Sequence, residues 1–177
     1  MTRAPVIAVV GPSGVGKDSV MTAMRAVCLD IQLARRVITR PSASGSEDFD
    51  SVTEAQFNQM VAEDRFALYW SAHGLRYGVP ETIDDLRRTA EAVLVNLSRA
   101  ALLQAQEVFG DFRVIHLTAA TEVLAQRLAG RGREDAETVA RRLAQTGKPL
   151  PDGLRSVTKI DNSGALDTAV LAALDVL

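Results

Sequence analysis

Val6 to Val10 form an unbroken apolar run. A run this short, stopped by glycine, reads as a strand buried on both faces. A helix is predicted next, from Lys17 to Leu29, with Val20, Met24, Val27 and Cys28 at helical spacing. Leu33 to Thr39 reads as a second strand, followed by a polar loop from Pro41 to Asp48 whose acids and neighbouring arginines suggest binding. Thr53 to Gln56 has the pattern of a helix N-cap, opening a helix through about Ala62. Phe66 to Ala72 reads as a strand, and His73 to Pro80 as a glycine-marked turn with an extended return. Pro80 fits the start of a helix through Arg88. Further strands are predicted at Val93–Val95, Arg113–Leu117 and Ser156–Ile160. Helices are predicted at Arg99–Val108 (stopped by Gly110), Ala120–Ala129 (ending at Gly130), Ala136–Ala144 and through Leu174.

Strands alternating with helices indicate an α/β domain, a parallel sheet of about five strands with helices on both faces. In such folds ligands bind beyond the carboxyl ends of the strands. The loops after strands one, two and four, and the return after strand three, are therefore expected to share one cleft. A length of 177 residues with 47% apolar content suits one domain, residues 1–177. A net charge of −2 gives no electrostatic case for general nucleic-acid binding. The single cysteine, Cys28, excludes a disulfide framework and a cysteine zinc site, and its apolar helical setting suggests core. No apolar run reaches membrane-spanning length and no leader pattern opens the chain, so a cytoplasmic protein is expected. The oligomeric state is left open, a homodimer included.

Chemistry concentrates in Gly11-Pro12-Ser13-Gly14-Val15-Gly16-Lys17-Asp18-Ser19, set between the first strand and helix. Gly11, Gly16 and Lys17 match the core of a phosphate-binding loop. Glycines let backbone N–H groups turn inward, the following helix offers free donors and a positive dipole end, and Lys17 adds a charge. The loop departs from the motif at Asp18, where a hydroxyl is expected on magnesium. Either the Asp18 carboxylate or the Ser19 hydroxyl offers a hard oxygen for that ion, and Asp18 equally suits the first turn of a helix.

Arginines cluster in two further places. Arg127, Arg131, Arg133, Arg141 and Arg142 surround one predicted helix–turn–helix, where like charges repel unless an anion lies between them. Beside a phosphate loop this reads as a lid over roughly residues 127–147 that closes over the transferring phosphoryl group. Arg36 and Arg40 end the second strand on the ligand side, and Tyr77 precedes Gly78 in the facing return; together they suit an acceptor phosphate. Tyr69 and Trp70 alternate on a strand, one toward the core and one toward the cleft. His73 and His116 lack metal-ligand spacing, and His116 reads as a hydrogen-bonded core residue.

Gly11 to Lys17, Thr39-Arg40-Pro41, Tyr77-Gly78 and Arg127-Leu128 with Arg131-Gly132 and Arg142-Leu143 resemble, in order, the guanylate kinase group of P-loop kinases. A closer resemblance, to the ribose 1,5-bisphosphate phosphokinases of phosphonate utilisation, rests on five stretches. These are Gly16 to Ser19, Arg36 to Arg40, Ala72 to Gly78, Val93 to Arg99 and Arg131 to Glu134, with Asn162-Ser163-Gly164 in addition. The departures from guanylate kinases agree. Ser42-Ala43, Tyr69-Trp70 and Asn96 stand where those enzymes carry a second arginine, a guanine-reading glutamate and an acid. Phosphate grips are kept while base-reading groups are lost.

The resemblance implies transfer of phosphate from ATP to ribose 1,5-bisphosphate, giving 5-phosphoribosyl 1-diphosphate. It implies donor binding by residues 11–19 and Asn162, magnesium on Asp18 or Ser19, charge neutralisation by Lys17, Arg127, Arg131 and Arg142, and acceptor binding by Arg36, Arg40 and Tyr77. Rival expectations are a guanylate or other nucleoside monophosphate kinase, and a catalytically silent binding module of the same fold.

Overall fold

The computed structural model describes residues 3–42, 47–130 and 135–177. The strands are β1 (Val6–Val10), β2 (Ile31–Leu33), β3 (Arg36–Ile38), β4 (Phe49–Ser51), β5 (Phe66–Ala72), β6 (Leu75–Pro80), β7 (Ala92–Asn96), β8 (Phe112–Thr118) and β9 (Val157–Asp161). The helices are α1 (Lys17–Val27), α2 (Glu54–Ala62), α3 (Ile83–Thr89), α4 (Leu102–Phe109), α5 (Thr121–Gly130), α6 (Ala136–Ala144) and α7 (Leu166–Leu174). Among the described residues no helix is long and apolar enough to cross a membrane.

Five strands form a parallel sheet in the order β2-β7-β1-β8-β9. All five residues of β1 are buried, as its unbroken apolar run requires of a central strand. Alternate residues serve opposite faces. Ile7, Val9, Leu94 and Ile115 pack with Val20, Met24, Val170 and Ala173 of α1 and α7. Val6, Ala8, Val93, Val95 and Val114 pack on the other face with α4 residues and with a second sheet.

That second sheet, ordered β4-β3-β6-β5, is mixed and was not expected as a separate layer. The predicted strand from Leu33 to Thr39 divides here. Ile31–Leu33 pairs with β7 in the first sheet, and Arg36–Ile38 pairs with β4 and β6 in the second. The β5–β6 hairpin turns through His73 (φ 52) and Gly74 (φ 73), a turn with both central residues left-handed that matches the strand twist. Gly78 is demanded by packing, since a Cβ there would sit 2.3 Å from the Phe66 ring. Pro80 does not start a helix. It closes β6 opposite Phe66, and α3 begins at Ile83. The pairing is irregular there, shifting register between Phe66 and Leu68, and a bulge tolerates proline as a helix's first turn does, so the residue alone did not decide. Gly130 is the last residue of α5 rather than a stop beyond it. The N-cap at Thr53 forms as expected, with Thr53 and Gln56 exchanging hydrogen bonds of 2.8 and 3.2 Å.

Cys28 follows α1, half-buried against the core, and its Sγ donates to Glu91 Oε2 at 3.4 Å. Trp70 is buried while Tyr69 is 43% exposed, so the tryptophan faces inward and the tyrosine outward.

Candidate active site

The loop after β1 enters α1 through Gly16, whose φ of 93° lies in the left-handed region. A side chain there would also meet the Asn162 amide at 2.8 Å, so glycine is required twice over. Two residues from elsewhere hold the loop from behind. Asn162 Nδ2 donates to Val15 O at 2.8 Å. Arg127 Nη2 donates to Asn162 O at 2.7 Å, and its Nη1 lies 3.4 and 3.5 Å from the carbonyls of Val15 and Gly14. The Asn162 backbone is tied to β8 through Thr118 O at 2.7 Å. The Asp161 carboxylate accepts from Ser163 N and Oγ at 2.8 and 2.5 Å, which holds its carboxyl below the usual range. Ser163 Oγ accepts in turn from Ala120 N.

Arg127 was expected to face transferring phosphate from a lid. Here its Nη1 and Nη2 donate to the carbonyls of Gly14, Val15 and Asn162. Replacing Asn162 with alanine is expected to leave Val15 O without its short hydrogen bond. ATP affinity should then fall about tenfold, with a loss of about 1 kcal/mol of stability. Calorimetric titration with ATP and a thermal melt measure both, and an unchanged ATP affinity would show that the loop holds its shape without this staple.

Lys17 Nζ donates to Gly11 O at 2.9 Å and Pro12 O at 3.2 Å. Burial lowers its pKa from 10.5 to about 8; Asp18 and Glu47 oppose the shift, and Arg36 and Arg99 add to it. Between about 8 and 10.5 the unfolded chain therefore binds more protons, so the burial cost of this charge fades as pH rises through that window. A polyphosphate anion favours the charged ammonium and raises the pKa again. ATP affinity is thus expected to fall by up to about tenfold per pH unit above pH 8, with proton uptake on binding. Calorimetry near pH 9 in two buffers of different ionisation enthalpy reads that uptake; an uptake of zero would count against Lys17 as the phosphate grip.

Asp18 is half-buried in the first turn of α1, and Ser19 is exposed beside it. Among the described residues no three His, Cys, Asp or Glu side chains cluster as a metal cage. Magnesium held partly by substrate phosphates needs only one or two such oxygens, and these two residues fit that demand. A cleft beside the loop is lined by Gly14, Gly16, Ser19, Arg127, Asn162 and Leu166. Asn162 Oδ1 is buried with no hydrogen-bond partner.

The second sheet and the loop that follows β3 carry Arg36, Arg40 and Tyr77. Register pairs Ile38 with Tyr77 and Val37 with Gly78, which sets Arg36 and Tyr77 on adjoining strands. Arg36 is buried, and its Nε and Nη2 grip Glu47 at 2.7 and 2.6 Å. Its guanidinium stacks 5.1 Å over Tyr77, which itself lies parallel to Trp70 at 5.4 Å. Arg40 stacks 4.4 Å over Phe49, lies 4.0 Å from Glu47, and has a buried Nε without a partner. The three expected acceptor residues are therefore together. Glu47, which binds Arg36 and lies near Arg40, was read in the sequence only as part of a polar loop.

His116 is half-buried at the end of β8, and burial with the nearby charges of Arg99 and Lys159 lowers its pKa. It is only half-buried, not the core residue that its place in a strand suggested. Arg131 and Arg133 lie outside the described residues. Arg142 is on α6, a helix with no buried residue that begins with Asp135 accepting from Thr138 N at 2.8 Å.

A parallel sheet with a glycine loop at its first strand end, a half-buried lysine and a cationic seat on a second sheet defines a guanylate-kinase-like P-loop kinase fold. A solved guanylate kinase from Anaplasma phagocytophilum shares this fold, with a TM-score of 0.71 at 14% identity, covering 99% of this chain and 85% of that one. No family model matches the chain. Two curated relatives carry the description ribose 1,5-bisphosphate phosphokinase PhnN. The protein from Ruegeria sp. is 59% identical over 175 residues, covering 99% of this chain and 92% of its own. The protein from Brucella melitensis is 46% identical over 171 residues, covering 95% and 88%. The chain belongs to the ribose 1,5-bisphosphate phosphokinase family.

Proposed function

We propose that this chain transfers the γ-phosphoryl group of ATP to the phosphate on carbon one of ribose 1,5-bisphosphate. The products are ADP and 5-phosphoribosyl 1-diphosphate, and the setting is phosphonate breakdown in the cytoplasm. The observation that carries the reading is the acceptor seat. Arg36, Arg40 and Tyr77 gather on one wall, stacked on Trp70 and Phe49 rather than on a side chain that reads the edge of a base. The Trp70 indole N–H, for instance, is committed to Ser98 Oγ at 2.9 Å. A base-free sugar phosphate suits such a wall; guanine, with hydrogen bonds to satisfy, does not.

The acceptor oxygen is already ionised at neutral pH, so the protein need not supply a base. Its task is alignment and charge. The loop amides and Lys17 hold the donor phosphates, and Arg127 and Asn162 fix the loop that does so. The base of ATP lies in the cleft beside Asn162, whose Oδ1 offers an acceptor. Asp18 or Ser19 would hold magnesium, which neutralises phosphate charge when bound. Arg142 and Arg131 belong to the lid that excludes water.

The test is ADP release measured in parallel with ribose 1,5-bisphosphate and with GMP. Turnover with the first and not the second is expected. The reverse would make the chain a nucleoside monophosphate kinase, and release with neither would point to a silent binding module.

A further inference from the structure

Arg99 opens the short turn after β7, at the carboxyl end of the central sheet. Its Nε and Nη2 are both buried, and neither has a hydrogen-bond partner. A guanidinium keeps its charge under all ordinary conditions, so these are two charged donors withdrawn from water and unsatisfied. Buried polar groups are otherwise almost always paired, and an unpaired charge is costly. Among the described residues no acidic side chain bonds the Nε or Nη2 of Arg99. Among the described residues, the ion pairs of this wall join Arg36 and Arg40 to Glu47.

The surroundings are cationic instead. Lys17 and His116 both feel Arg99 as a neighbouring positive charge. The turn itself is pinned to the acceptor wall, because Ser98 accepts the Trp70 indole hydrogen bond at 2.9 Å. Nε and Nη2 make up one edge of the guanidinium, the same edge with which Arg36 grips both oxygens of Glu47. That edge is shaped for two oxygens of one carboxylate or phosphate. In Arg36 a carboxylate of this chain fills it. In Arg99 nothing among the described residues fills it, and Lys17 feels its charge.

We propose that Arg99 binds the phosphate on carbon one of ribose 1,5-bisphosphate, the group that attacks ATP, and so selects a bisphosphorylated sugar over a monophosphorylated one. The proposal rests on the acceptor assignment above. Arg36, Arg40 and Tyr77 then hold the phosphate on carbon five.

The test compares wild type, Arg99→Gln and Arg99→Lys. Glutamine keeps much of the length and loses the charge; lysine keeps the charge and loses the fork. The KM for ribose 1,5-bisphosphate should rise roughly 10- to 100-fold in R99Q, with partial recovery in R99K. ATP affinity, read by calorimetry, should change by less than about threefold. Affinity for ribose 5-phosphate, which lacks the phosphate on carbon one, should be the same in R99Q and wild type. An unchanged KM overturns the proposal. An equal loss of ATP affinity moves Arg99 to the donor side, and an equal loss of ribose 5-phosphate affinity moves it to the other phosphate; either overturns it too. If R99Q does not fold, the same comparisons on R99K decide. Wild type that turns over ribose 1,5-bisphosphate while R99Q matches it defeats this proposal alone; wild type with no such turnover defeats the acceptor assignment and this proposal together.

Discussion

Lys17→Ala is expected to lower kcat by about 10³-fold or more while leaving the fold in place. Lys17 supplies the one ammonium inside the phosphate loop, and among the described residues its Nζ bonds the carbonyls of Gly11 and Pro12. The loop does not depend on those bonds for its shape. Asn162 and Arg127 hold it from behind, and Gly16 sets its exit into α1. Burial opposes the charge, as the fall of its pKa to about 8 indicates, so its removal relieves a cost in the folded state. Activity and stability should therefore separate. Steady-state ADP release with ribose 1,5-bisphosphate reads the first, and a thermal melt reads the second. Turnover at the wild-type rate would take the loop out of the mechanism.

Arg36→Met is expected to damage both. The side chain is 7% exposed and its Glu47 partner 16%, so the pair is largely shielded from water. Methionine fills much of the volume but leaves the Glu47 carboxylate without its two hydrogen bonds, and Trp70 and Tyr77 without the guanidinium stacked on them. Breaking such a pair by removing one member costs about 3 kcal/mol, and Arg40 at 4.0 Å offers only partial compensation. For a chain of this length that is roughly 6–12 °C in Tm. The acceptor KM should rise by about 100-fold, because the guanidinium lost is part of the phosphate seat. The double variant Arg36→Met with Glu47→Gln should recover stability without recovering KM. Recovery of both would mean that Arg36 matters only as a partner for Glu47.

The parts of this molecule visible in its sequence are those that local physics determines. Val6 to Val10 is a central strand because nothing polar interrupts it. Gly16 must be glycine because the chain turns left-handed there, and Thr53 with Gln56 encloses a helix start within four residues. The split of residues 33–39 between two sheets was hidden. Alternation along a strand does not say which sheet pairs with it, and here Ala34 and Arg35 carry the chain across. The role of Arg127 was hidden for another reason. Its partners are backbone carbonyls of Gly14, Val15 and Asn162, and a carbonyl has no letter in the sequence. Glu47 and Arg99 fell between these cases. Each is an ordinary charged residue until the fold shows that one is gripped on both oxygens and the other on neither edge nitrogen.

Incubating the purified protein with ATP, magnesium and ribose 1,5-bisphosphate, then resolving the products by chromatography with mass detection, addresses the assignment at its root. Formation of 5-phosphoribosyl 1-diphosphate in step with ADP is the result that the loop, the acceptor seat and the family together predict. Release of ADP without that diphosphate, or its appearance only when GMP replaces the sugar as GDP, would contradict the account.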